Sequence, residues 1–114
     1  MSETPAPSPP AAIAVFMTFS SSEEAGRIAA TLVQERLVAC VNVIPAVRSI
    51  FFWDNALQDE TEVLAVAKTT LDRLDAVVQR VKSLHSYAVP EVIGLSILGG
   101  SDDYLRWVKA AVSS

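Results

Sequence analysis

Residues 40–53 read CVNVIPAVRSIFFW, and residues 62–70 read EVLAVAKTT. Val, Ile and Phe fit a pleated, half-buried surface, so both stretches predict strands. Between them, residues 54–61 read DNALQDET, rich in turn formers and charge, which joins the two runs as a hairpin. The first run is long. At ~3.3 Å per residue it spans well over about 40 Å, whereas a domain of this size has a radius of gyration near ~13 Å. The run must therefore bend, split, or project and find cover elsewhere. Pro45 cannot donate to a sheet ladder, which predicts a bulge or an edge position there. A projecting strand that bears Ile50, Phe51, Phe52 and Trp53 does not stay exposed in a soluble monomer. The hairpin thus reads as an assembly element, with Phe51, Phe52 and Trp53 as its contact residues.

Upstream, MSETPAPSPP opens a Pro-rich tail, read as disordered over residues 1–11, and a single domain is expected over 12–114. Ala12–Phe19 (AIAVFMTF) reads as a buried central strand. Ser21 or Ser22 can cap the helix that follows, with Glu23 and Glu24 at its positive end. Ala25, Ile28, Ala29, Leu32 and Val33 form that helix's apolar stripe, and it ends near Arg36 or Leu37. Downstream, Thr70 can cap a second helix with its stripe on Leu71, Leu74, Val77, Val78, Val81 and Leu84. Glu91–Leu98 (EVIGLSIL) is a further strand, and Ser101 caps a third helix that runs to the terminus.

The order β-α-β-β-α-β plus a terminal helix is the ferredoxin-like α+β arrangement, with an extra C-terminal helix and a long β2–β3 hairpin. Its expected strand order is 4-1-3-2, with both main helices on one face. The opposite face needs cover from the third helix or a neighbouring subunit, because the central strands are apolar on both sides.

Composition narrows the function. The chain has 114 residues, a net charge of −4 and no basic cluster, which disfavours nucleic-acid binding. No apolar run approaches the ~18–20 residues of a membrane span, and no Lys or Arg precedes the apolar segment Ala11–Met17, unlike a signal peptide. The single cysteine, Cys40, rules out an internal disulfide framework and suits a reducing, cytoplasmic setting.

Cys40 and His85 are the natural metal candidates, since thiolate and imidazole suit Cu(I), Cu(II) or Zn(II). Against this, Cys40 also fits a small buried hydrophobe, and His85 a helix C-terminal residue. Each follows a helix and introduces an outer strand, so both are expected near the same end of the sheet, ~14 Å apart. A shared site would then need two subunits. Asp59, Glu60, Glu62 and Glu91 read as solvated hairpin and strand-edge charge. Lys68 interrupts an apolar strand and is expected to reach a cleft or meet a carboxylate such as Glu91. Tyr87 and Glu91 could line that ligand cleft with it. The Gly99-Gly100-Ser101 turn reads as an ordinary strand-to-helix connection. No nucleophile–base pair or phosphate-binding loop is present, so no enzyme is expected.

The stretches ERLVACVNVIP, SIFFWDN, EVLAVAKTT, VKSLHSYAVPEVIGLSI and GGSDDYLRWV resemble the CutA1 divalent-cation tolerance family over roughly residues 13–109. The resemblance implies a ferredoxin-like subunit in a homotrimer, a cytoplasmic setting, and a link to copper or other divalent metals. Its trimer architecture is similar to the PII signalling proteins, which implies an alternative function as a sensor with a small-molecule site between subunits. Three positions depart from the family's pattern: Ser86 stands for the usual Pro, Ala88 for an acid, and Phe52 for the first residue of the usual Trp-Trp pair, a change expected to preserve packing.

Overall fold

A computed structural model describes residues 11–113. Apart from Ala11, the Pro-rich tail expected over residues 1–11 lies outside the described residues. The elements are β1 (Ala12–Phe19), α1 (Ser22–Gln34), β2 (Cys40–Trp53), β3 (Ala56–Thr70), a 3-10 turn (Leu71–Arg73), α2 (Leu74–Leu84), β4 (Val92–Ser96) and α3 (Asp102–Val112). The sheet is antiparallel throughout, in the order β2-β3-β1-β4, which is the expected ferredoxin-like order.

Strand alternation divides the sheet into two faces. Ile13, Val15, Met17 and Phe19 of β1, with Val63, Ala65 and Ala67 of β3, point one way. Ala25, Ile28 and Leu32 of α1 and Val77 and Val81 of α2 close over them to form the main core. Ser21 caps α1, its Oγ accepting the Glu24 N–H at 3.1 Å. Gly94 fits β4 beneath α2, because a Cβ there would meet Leu74 Cδ2 at 3.0 Å. On the opposite face α3 covers only one end, where Val108 and Val112 bury against Ala39. The rest of that face carries Phe16, Leu64, Val66, Ile93 and Leu95, and Ile93 is 51% exposed.

The hairpin differs from its expected form at its tip. The segment read as a long turn is instead strand from Ala56 on. The reversal takes only Asp54 and Asn55, both left-handed (φ 56° and 61°), as a two-residue hairpin turn requires. Pairing then runs unbroken from Trp53↔Ala56 to Val47↔Glu62. There the register slips: Pro45 and Ala46 together oppose Val63, the bulge that proline predicts. Beyond the bulge the ribbon projects. The radius of gyration is 16.2 Å and the longest extent 62 Å, against ~13 Å for a compact chain of this length.

Two further details correct the sequence reading. Thr70 does not cap α2; its hydroxyl donates to the Asp72 carboxylate, and a 3-10 turn intervenes before the helix begins at Leu74. β4 is shorter than Glu91–Leu98, because its ladder partner β1 pairs with it only over Ile13–Met17.

Candidate functional site

The sheet's own polarity separates the two proposed metal ligands. β1 runs antiparallel to β3, and β3 antiparallel to β2, so β1 and β2 point the same way and β4 points against them. Cys40 therefore begins β2 level with Ala14, through Lys68, while the segment leading into β4 lies at the other end of β1. The expectation that Cys40 and His85 share one end of the sheet is wrong. They lie ~13 Å apart along the strands and ~10 Å apart across them.

His85 is fully occupied. Its Nε2 lies 2.7 Å from the Thr18 carbonyl oxygen, and its Nδ1 lies 3.0 Å from the Tyr87 backbone nitrogen. A carbonyl can only accept and an amide N–H can only donate, so the ring is the neutral Nε2–H tautomer. The imidazole stacks on Phe19 (centroids 4.8 Å, 13°) and tilts against Tyr87 (4.7 Å). Neither nitrogen has a lone pair free for a metal without breaking this arrangement. Next to it, Glu24 is buried and accepts from the Ser86 N–H (2.9 Å) and hydroxyl (3.0 Å). Ser86, which stands where the resembled family has Pro, thus supplies a backbone donor that proline lacks.

Cys40 occupies a different neighbourhood, on the face partly covered by α3. Its Sγ lies 3.5 Å from the Tyr104 hydroxyl. This contact, with burial second, holds the Tyr104 hydroxyl above its ordinary pKa. Lys68 stands directly opposite Cys40 and donates to the Asn42 side chain. The expectation that Lys68 meets Glu91 is overturned, because the Lys68 partner lies on β2. Among the described residues, no three His, Cys, Asp or Glu side chains converge so as to hold a metal ion.

Tyr87 and Glu91 do come together, at the far end. They border an open cleft of about 540 Å³ between the projecting hairpin and the segment entering β4. The Tyr87 hydroxyl donates to Glu62 Oε2 at 2.7 Å. Glu62, read from sequence as solvated charge, is only 7% exposed. Burial, then the hydrogen bond to Glu62 and the fields of Glu62, Glu60 and Glu24, keep the Tyr87 hydroxyl protonated far above the usual tyrosine range. Burial, and secondarily Glu62, raise the Glu91 carboxyl above its ordinary 4.5.

The three aromatic residues assigned to assembly part company. Phe51 and Trp53 share the ribbon face of Gln58, Glu60 and Glu62 and wall the cleft. Phe52 projects from the reverse face with Ile50 and Leu57, where Phe52 is 68% and Leu57 69% exposed. That reverse face also carries Arg48, whose guanidinium grips both carboxylate oxygens of Asp59 (2.8 and 2.6 Å). Glu24, Asn42 and Tyr104 were not read as site residues from the sequence. Glu24 had a signal, being the fourth residue of a Ser-x-x-Glu box, but that pattern points back to its own helix cap.

A family model for the CutA1 divalent ion tolerance protein matches residues 13–111. The chloroplastic protein CutA 1 of rice is 41% identical over 97 residues, covering 85% of this chain. The divalent-cation tolerance protein CutA of Thermus thermophilus is 42% identical over 95 residues, covering 83% of this chain. The chain spans 55% of the rice protein's length and 92% of the Thermus protein's. The solved structure of the periplasmic divalent cation tolerance protein CutA from Archaeoglobus fulgidus superposes with a TM-score of 0.87 at 32% identity, covering 90% of this chain and 99% of that one.

Proposed function

The chain belongs to the CutA1 divalent ion tolerance family, and on that premise we propose that it serves divalent-cation tolerance as a non-catalytic homotrimer, in the cytoplasm. The observation that carries the assembly is the apolar surface left without cover. Ile93 and Leu95 lie on the open sheet face, and Ile50, Phe52 and Leu57 on the hairpin's reverse face. Surface of that kind on a projecting ribbon calls for a second copy. The number three comes from the family resemblance, and the cytoplasmic setting from the lone thiol.

Within one chain, the side chains do not fit a resident metal: the His85 nitrogens are taken and Cys40 stands apart from the carboxylates. Copper or another divalent metal bound by this protein would use Cys40 with ligands from a neighbouring copy. Native mass spectrometry with and without Cu(II) tests both parts. A trimer that gains a defined number of coppers, lost in Cys40→Ser and kept in His85→Ala, is the expected result. A monomer at micromolar concentration contradicts the assembly. Copper lost in His85→Ala contradicts the assignment of that residue.

The cleft favours a second reading, a PII-like role in which a small molecule binds against Tyr87 and Glu91. Lys68 takes no part in it. Ligand-dependent shifts in melting temperature, abolished in Glu91→Ala and unchanged in Lys68→Ala, are expected on this reading.

A further inference from the structure

The charges around the cleft are one-sided. Asp54, Glu60, Glu62 and Glu91 line it, and among the described residues no Lys, Arg or His does. The nearest guanidinium on the hairpin, Arg48, is on the reverse face and committed to Asp59. A concave wall of one sign concentrates ions of the other. Burial first, and the nearby Glu62 second, displace the Glu91 carboxyl upward.

A point cation does not answer this arrangement. A divalent metal draws its ligands to one centre at roughly 2–2.6 Å, and these carboxylates do not converge on one. The rest of the wall includes three rings, Phe51, Trp53 and Tyr87, beside Thr18, Gln58, Ala88 and Val89. Rings attract ammonium groups through their faces and pack against methylenes at the same time. On the ribbon Trp53 and Phe51 lie toward the tip and Glu60 and Glu62 toward the base, an aromatic and an acidic stretch that suit a ligand carrying both methylene spacers and charged nitrogens. The cleft volume, about 540 Å³, is within the range of small-molecule sites.

We propose that the cleft between the hairpin and the Tyr87–Glu91 segment binds a linear polyamine, with the carboxylates taking its ammonium groups and the rings its methylene spacers. This rests on the second reading above, that the cleft is a ligand site. It also gives Trp53 a role as a wall of the site, apart from the contact surface formed by Phe52.

The chain has two tryptophans, so a Trp107→Phe background leaves Trp53 as the only indole. Spermidine is titrated into this protein at low salt, followed by fluorescence and calorimetry. The expected result is saturable binding at one site per chain, weakened about tenfold by Glu60→Gln and by Trp53→Ala. Both side chains are exposed, and Glu60→Gln preserves shape, so its fold is expected to survive. Equal binding in the variants would mean adsorption to an acidic surface and overturns the proposal. So does Mg(II) or Cu(II) that competes at the concentration at which spermidine saturates. If spermidine is silent while an anionic or neutral metabolite moves Trp53 fluorescence, the cleft is a ligand site and the polyamine assignment is wrong. If no member of the panel perturbs Trp53 or the melting temperature, both readings fail.

Discussion

Replacing His85 with alanine separates a structural role from a ligand role. The substitution removes an N–H donor to the Thr18 carbonyl and an acceptor for the Tyr87 amide. Each such bond contributes ~1 kcal/mol net. It also removes the stacked contact with Phe19 and the tilted one with Tyr87, together ~1 kcal/mol. The expected destabilisation is ~3 kcal/mol. With a urea slope of ~1.5–2 kcal/mol per molar for a domain of this size, the midpoint falls by ~1.5–2 M. Protein concentration must be held constant, because dissociation of an assembly is linked to unfolding. His85→Gln, which can still donate to Thr18, should recover ~1 kcal/mol of the loss. Copper uptake should be unchanged in both variants. A His85→Ala protein of unaltered stability that has lost copper would refute the reasoning and restore the imidazole as a ligand.

Three further outcomes are expected. Phe52→Asp should shift sedimentation towards a smaller species whereas Phe52→Leu should not; a normal assembly in the aspartate variant would contradict the role of the hairpin's reverse face. Glu91→Gln should flatten part of the pH dependence of stability: because the folded-state carboxyl lies above 4.5, the folded protein binds more protons, and stability falls as pH rises from 4.5 through the folded value. The variant should thus gain on the parent between pH 4 and pH 7 in urea midpoints, and parallel profiles would discount the effect. Asn55→Ala removes the short polar side chain that makes the left-handed conformation at φ 61° tolerable and should cost up to ~1 kcal/mol, while Asn55→Gly should cost nothing; hydrogen exchange of the Trp53–Leu57 amides would show it.

The strands that share in the core were the legible ones. β1 appears at Ala12–Phe19 as read, because a short β-rich apolar run with prolines before it and serines after it has little else to become. β3 was misjudged at its start, since Leu57, Gln58, Asp59 and Glu60 lack the alternation of a strand with one buried face. A ribbon exposed on both faces imposes no such pattern, and the Asp54–Asn55 turn sets its register instead. Tyr87 and Glu91 were found together because they are close in sequence. The pairing of Glu24 with Ser86 joins residues 62 apart, and neither helix periodicity nor a cap motif reports it. Cys40 and His85 were misplaced by overlooking strand direction: two crossovers that begin from antiparallel strands deliver their returns to opposite ends.

The hairpin's construction links assembly to the cleft. Past the bulge at Pro45 and Ala46, β2 and β3 pair only with each other. A two-stranded ribbon on its own is marginal in water. The exposed Arg48–Asp59 pair adds little to it, since exposed ion pairs are screened. Order along Phe51–Trp53 must come from what packs on the reverse face at Ile50, Phe52 and Leu57. The wall of the cleft is then only as fixed as that packing. A ligand held between Trp53 and Tyr87 would favour the ordered ribbon, and the ordered ribbon would favour association. The coupling is reciprocal: by whatever factor assembly tightens the ligand, the ligand tightens assembly. Phe52→Asp should therefore weaken any ligand of the cleft although its side chain faces away. Unchanged affinity in a dissociated Phe52→Asp protein would show that the ribbon holds its shape alone.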